Sequence, residues 1–402
     1  MRTSRTIFRL MICVGLATLI LPIRAHAQFT GRASATTQFE SNSNVFALDA
    51  GSAQPGTNDF RRSDTDYSYG AELDGSYKWS RQQLYAVAST TEYDYQHFTQ
   101  LDHDDYKFDL GLNWALGRLW DGKLDATRTR NMVPFLDLSG ESVLALSLAT
   151  EQRETAQIGL RLSSDWKLEG VAFTSQTDEP IPGSPNLQLT QNSGSLSLQY
   201  LGIGHLTTGL TVNYLGANYD GSANGFDGSY RQSTIEYVAD YKHNRMTFEG
   251  EVGYSRRSSD LVSNNESGFT GLIDFKEQLT PKTSFTVKLD RLINNYILTS
   301  SSEIDTDAGF GVNWQSTYKL GFSLDYTFTY RAYAAQPPSP PGTYRVDYQQ
   351  YGTFGLQYLV TRWLLIKPYA NVLTRRSNFA FHNFDADIFG VSITVQTGDR
   401  AK

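Results

Sequence analysis

The 402-residue sequence predicts an all-β fold, a transmembrane antiparallel up-and-down β-barrel of about 18 strands, with 16–18 as the range. Three observations carry that reading. Apolar and polar side chains alternate strictly at every second position, connections alternate between short and long, and tryptophans keep to the short ones. Strands place successive side chains on opposite faces, so period two describes a ribbon with one apolar and one polar face.

The N-terminus comes first. Arg2, Arg5 and Arg9 precede an apolar run that is broken by Pro22 and Arg24 and ends in Ala25-His26-Ala27. A basic start, an apolar middle and an A-x-A end are the parts of a secretory signal peptide, so residues 1–27 are expected to be cleaved before Gln28. The run is too short and too interrupted for a membrane anchor. Residues 28–402 are then expected to form a single outer-membrane barrel. Cys13, the sole cysteine, leaves with the signal, which excludes disulfides and thiolate metal sites. Four arginines leave too, taking the formal charge from −7 to about −11 and arguing against a nucleic-acid partner. The chain holds 24 Tyr and 22 Phe at a mean hydropathy of −0.40, as expected where every second strand residue faces water.

From Gln28 onward, alternating runs fall at about 29–40, 65–79, 82–97, 104–116, 120–133, 150–164, 166–177, 192–202, 205–219, 229–242, 246–258, 267–279, 283–296, 303–317, 319–333, 345–360, 363–376 and 383–396. Short joints occur at Ser80-Arg81, Gly117-Arg118, Asp165, Gly202 to Gly204, His243-Asn244, Thr280-Pro281, Tyr318 and Thr361. Longer polar segments lie between them at 41–63, 135–149, 178–190, 220–228, 259–266 and 334–343. Sorting tight turns to one rim and long loops to the other is the membrane-barrel arrangement, with turns in the periplasm.

Trp79, Trp114, Trp120, Trp166, Trp314 and Trp363 all lie at or near short joints. By parity Trp79, Trp114, Trp120 and Trp314 share the apolar face, as expected of an aromatic girdle at the periplasmic interface. The stretch 319–331 shows what the two faces want: Leu320, Phe322, Leu324, Tyr326, Phe328 and Tyr330 alternate with Gly321, Ser323, Asp325, Thr327 and Thr329. Carboxylates repeated mid-strand on a dry core face would cost several kcal/mol each, about 2–7 for an unpaired polar group, whereas a hydrated lumen removes that cost. About eighteen strands leave a bore wide enough for an aqueous channel.

Catalytic patterns are absent from the sequence: there is no G-x-S-x-G, no phosphate-binding loop and no H-E-x-x-H, and the histidines His97, His103, His205, His243 and His382 are scattered. No catalytic residue, cofactor or metal is expected. Arginines recur where strands reach the long-loop rim. Arg128, Arg130, Arg256, Arg291 and Arg376 continue the lipid-facing register, where they are expected to meet lipopolysaccharide phosphates. Arg257, Arg331 and Arg375 continue the lumen-facing register and are expected to touch a polymer at the mouth. The alternative for both groups is ion pairing within the rim, since Asp102, Asp104, Asp305, Asp307, Asp385 and Asp387 begin the neighbouring strands.

The stretches TTQFESNSNVFAL (36–48), GSYKWSRQQLYAVASTTEYDYQHFTQLDHDDYKFDLGLNWALGRLWDGKLDATRTR (75–130), LTPKTSFTVKLDRLINNY (279–296) and VTRWLLIKPYANVLTRRSN (360–378) resemble the exopolysaccharide-operon outer-membrane proteins of the EpsL type, also grouped as β-barrel porin 2. The resemblance covers most of the chain after the signal. It implies an outer-membrane barrel of a Gram-negative cell that takes part in exopolysaccharide export. Such a barrel would act as the translocation channel, working with a periplasmic polysaccharide-export protein. The expected partners are outer-membrane lipid and lipopolysaccharide, and an anionic or neutral polysaccharide. One departure is that the chain ends FGVSITVQTGDRAK, without a terminal Phe. A general diffusion porin for small hydrophilic solutes shares every architectural feature and is the alternative expectation.

Overall fold

The computed structural model describes residues 29–50, 52, 61–135, 145–180, 187–220, 228–259, 266–296, 301–333 and 344–397. The expected signal segment 1–27 lies outside them. The strands are β1 Phe29–Asn42, β2 Asp64–Trp79, β3 Gln82–Tyr95, β4 His103–Leu116, β5 Trp120–Met132, β6 Leu148–Arg161, β7 Trp166–Glu179, β8 Leu187–Ile203, β9 Leu206–Asp220, β10 Gly228–His243, β11 Met246–Ser259, β12 Glu266–Thr280, β13 Thr283–Tyr296, β14 Ser301–Gln315, β15 Leu320–Tyr333, β16 Val346–Thr361, β17 Leu364–Ser377 and β18 Phe384–Gln396. Each pairs antiparallel with its neighbours in sequence, and β1 also pairs with β18 from Ser34↔Gln396 to Asn42↔Ile388. The 18-stranded sheet therefore closes on itself, which leaves no unpaired edge for lipid to solvate.

Strands of 13 to 17 residues rise about 3.3 Å per residue, so even when tilted they outreach an apolar band of about 25 Å. Their alternation is kept in register. Val312↔Leu324, Phe310↔Tyr326 and Trp314↔Phe322 share one face, and Asn313↔Ser323 and Gly311↔Asp325 share the other. Side-chain contacts tell which face is inside, because side chains converge on the concave face of a cylinder and diverge on the convex one. Contacts that skip a strand all involve the polar face: Lys167 Nζ to Asp121 at 3.0 Å, Gln191 Nε2 to Tyr230 Oη at 2.8 Å, and the bonds Tyr85 to Asp125 and Tyr369 to Glu40. Apolar-face ring contacts, such as Phe39–Tyr67, Trp166–Tyr200 and Tyr254–Phe269, join adjacent strands, or neighbours on one strand as in Tyr77–Trp79, and none of them skips a strand. The apolar face is outside, where Leu110, Leu196, Val212, Val252 and Phe354 stand half exposed or more.

The alternating runs match these strands to within a few residues, with one exception. The segment 178–190 reads as loop, yet β7 and β8 continue into it through Glu179↔Leu187 and Asp178↔Gln188. Gln188 Nε2 donates to Asp178 Oδ1 at 2.7 Å, and Leu189 buries against Ala217, Tyr219 and Tyr230 on the inner face. These contacts outweigh the turn chemistry of the nearby prolines. The links from β3 to β4, with a 3-10 turn at Thr99–Leu101, and from β17 to β18 also belong to the long-connection rim.

Candidate functional site

The outer mouth is built from the SNSNVFAL stretch that follows β1. Asn44, 5% exposed, donates from Nδ2 to the carbonyls of Leu48 (2.9 Å) and Asp385 (3.0 Å), and its Oδ1 accepts from the Leu48 amide at 3.0 Å. This clamp holds Ala47 in the left-handed region at φ 51°, a conformation that costs a non-glycine residue about 1–2 kcal/mol. Ala47 packs on Phe384, Ala386 and Leu373, whose register is that of the inner wall. Beside it, Phe46 meets Phe98 and Phe135 at ring separations of 4.7 and 5.0 Å, with Leu101 beneath. Asp64 fastens the β3–β4 link by accepting the amides of Phe98 (2.7 Å) and His97 (3.1 Å). Residues 43–48 thus fold inward over the mouth and bridge β18 to the β3–β4 and β5–β6 connections.

The lumen-register arginines are tied into this rim. Arg331 forks onto Asp305 at 2.8 and 2.9 Å. Arg257, 3% exposed, donates to the Asn294 carbonyl at 2.8 Å and lies over the Tyr230 ring. Arg375, 1% exposed, donates to the His382 carbonyl at 2.7 Å and lies over Phe384. All three stand on the inner face near the mouth, but burial commits Arg257 and Arg375 to the wall and withholds them from a passing polymer. Beside them Arg345 pairs with the fully buried Asp347 at 2.6 Å, and Tyr333 Oη donates to the same carboxylate at 3.1 Å.

The lipid-register arginines stand on the outer face toward the long-loop rim. Arg130 pairs with Asp104 and covers Tyr106, and Arg376 meets Asp385 at 2.7 Å. Arg291 donates to Thr306 Oγ1 at 2.8 Å, while Arg128 and Arg256 are exposed. Arg231, which the sequence reading passed over, is exposed beside Arg256, as the pairs Ser233↔Arg256 and Arg231↔Ser258 show. Trp79, Trp114, Trp120 and Trp314 lie at the short-turn rim on the outer face, and Trp166 joins them. Parity hid Trp166 because Val171 and Phe173 put apolar side chains on the polar register of the same strand.

Below the mouth, three long side chains cross a glycine to reach a carboxylate two strands away. Tyr85 crosses Gly111 to Asp125, Tyr369 crosses Gly390 to Glu40, and Lys167 crosses Gly159 to Asp121. A Cβ on any of the three glycines would overlap the crossing side chain. β8 and β9 present an uncharged inner face that includes Gln191, Ser193, Ser195, Ser197, Gln199, Thr207, Thr211 and Asn213. The histidines do not all scatter, since the rings of His205 and His243 meet at 4.0 Å, tilted by 41°, on the short-turn rim. Among the described residues no group of three or more His, Cys, Asp or Glu side chains could hold a metal.

Residues 242–397, less than half of the chain, match the family model "Putative beta-barrel porin 2". No curated protein matches the sequence. Among solved structures, the FrpB iron transporter from Neisseria meningitidis superposes with a TM-score of 0.51 at 11% identity, over 87% of this chain and 62% of that one. The copper transporter OprC superposes with a TM-score of 0.51 at 11% identity, over 90% of this chain and 64% of its own. The chain therefore spans less than two thirds of either transporter, and at these identities the likeness is one of fold. With its closed sheet, apolar exterior and polar interior, the chain is an 18-stranded antiparallel β-barrel of the Gram-negative outer membrane.

Proposed function

We propose that this barrel, exported by a cleaved signal at residues 1–27, is the translocation channel through which an exopolysaccharide crosses the outer membrane. The observation that carries the proposal is the uncharged inner face of β8 and β9, where hydroxyls and amides line the wall below an apolar cluster of Leu189, Leu215, Ala217 and Tyr219 at the mouth. A sugar chain can exchange many weak hydrogen bonds along such a surface without being held by any one of them. No catalytic step is assigned. Arg128, Arg256 and the neighbouring Arg231 face lipopolysaccharide phosphates, and the tryptophans of the short-turn rim set the depth of the barrel. The turns between them meet a periplasmic export protein. Deleting the gene should abolish surface polysaccharide and leave its precursor inside the cell, and unchanged secretion would remove the proposal. The porin description of the family that residues 242–397 match favours a second reading, a diffusion pore for small solutes. Steady conductance in a planar bilayer without any export partner, together with normal polysaccharide secretion in the deletion strain, would select it.

A further inference from the structure

The inner wall from β10 to β14 sets carboxylates against one another. Asp240 stands directly opposite Glu249, Glu249 opposite Asp274, and Asp290 opposite Asp307. At the closure Glu40 stands opposite Asp66. Like charges facing each other across a strand pair are destabilising, so each pair calls for a compensating positive charge. The protein supplies few. Lys288 approaches Asp274 at 3.7 Å, while Glu236, Asp240, Glu249 and Glu251 have no cation within 4.0 Å among the described residues. Asp290 Oδ1 and Asp307 Oδ1 are enclosed without a hydrogen-bond partner. Of the inner-face cations elsewhere, Arg32 is matched by Glu72 and Asp74, Lys123 by Asp125, Lys167 by Asp121 and Glu169, and Arg331 by Asp305, while Arg153 lies over the Phe173 ring and Lys367 stands on β17, both outside this wall. Lys242 and Lys276 sit toward the short-turn ends of their strands, and Arg257 is buried at the opposite end.

Resting on the channel reading, we propose that this wall makes the lumen cation-selective, so that it passes cations and cationic or neutral sugar polymers and disfavours polyanions. Mobile cations collect along the opposed carboxylates and are the charge carriers. A polymer bearing free amino groups gains the same contacts, whereas one bearing carboxylates or sulfates meets repulsion over five consecutive strands. The effect must weaken with salt, because the Debye length falls from about 10 Å at 0.1 M to about 3 Å at 1 M, well short of the bore of a barrel this wide.

The test is the reversal potential of the purified barrel in a planar bilayer under a potassium chloride gradient. Potassium should be preferred over chloride at about 0.1 M and the preference should fade toward unity at about 1 M. The variant carrying Asp240→Asn, Glu249→Gln, Glu251→Gln, Asp290→Asn and Asp307→Asn should lose most of that preference while keeping its heat-modifiable gel mobility. Conductance with no preference or with chloride preferred, or undiminished selectivity in the variant, overturns the inference and leaves the channel reading standing. If the barrel does not conduct without an export partner, the diffusion-pore reading fails by itself, and anisotropy of a labelled glucosamine oligomer against a sulfated dextran oligomer of equal length decides the inference. Tighter binding of the glucosamine oligomer, lost in the variant, upholds it, and equal or reversed binding refutes it.

Discussion

Two stretches of the inner wall carry carboxylates and use them in opposite ways. From β3 to β7, and across the closure from β17 to β1, Asp125, Asp121 and Glu40 each receive a Tyr or Lys that crosses a glycine on the intervening strand. From β10 to β14 the carboxylates face one another instead. The glycine alone does not make the difference. Gly253 lies under Glu236 just as Gly111 lies under Tyr85, but the side chain crossing it is an acid and bonds to nothing among the described residues. Space on the middle strand permits a tie and a donor completes it. One wall thus spends its charge on holding strands together, and the other leaves it to whatever enters the lumen.

The sharpest way to break that comparison is to remove the space. Gly111→Leu should force Tyr85 off Asp125, combining an overpacking penalty of about 1–3 kcal/mol with the loss of a hydrogen bond to a charged group worth about 1.5–3 kcal/mol. Gly268→Leu, on the same face but with nothing within 4 Å of its Cβ position, should change stability by less than about 0.5 kcal/mol. The temperature at which the folded band disappears on detergent gels reads both. Equal destabilisation by the two variants would show that the crossing contributes nothing.

Removing a carboxylate should separate the walls next. Asp125→Asn weakens the bonds from Tyr85 and from Lys123 at 3.2 Å and should cost about 2 kcal/mol. Glu251→Gln, in the opposed wall, should stay within about 0.5 kcal/mol of the parent. Equilibrium unfolding in urea with lipid vesicles present would show the contrast, and matched losses would erase the distinction between the walls.

Much of this architecture could be read from the chain because period two survives in almost every strand. The face assigned to Leu324 and Phe310, the side assigned to Trp79 and Trp314, and the alternation of connections all follow from local pattern. What lay beyond reach is whatever depends on register between distant strands. Nothing local says that Tyr369 will cross the closure to Glu40, or that Ala47 will settle on Phe384. The mouth arginines show the same limit. Parity gave Arg257 and Arg375 their inner face, but their burial comes from Tyr230 and Phe384, which only the folded barrel brings to them.

Relieving an opposed pair should carry a smaller effect, and of opposite sign. Asp240→Asn removes the repulsion with Glu249 and should stabilise the barrel by about 0.2–1 kcal/mol, more at low ionic strength where screening is weak. A loss of stability in the same urea titration would mean that Asp240 has a partner and that this wall is tied after all.

The smallest effect belongs to the mouth, where the tied wall ends. His382 donates from Nδ1 to the Ala380 carbonyl at 2.7 Å. Burial, with the Arg345 and Arg375 guanidiniums adding repulsion, holds its imidazole below the ordinary histidine range, against the weaker pull of that carbonyl and of Asp347. The folded loop therefore binds fewer protons than the opened one once the pH falls below the ordinary value of about 6.5, and its stability is full above that value and declines beneath it. Hydrogen exchange of amides 378–383, corrected for its intrinsic pH dependence, should be faster at about pH 5.5 than at about pH 7.5, and His382→Gln should level the two. An unchanged ratio in the variant would assign the acid sensitivity to the carboxylates of the rim, and with it would move the weakest point of the mouth from the loop to the wall beneath it.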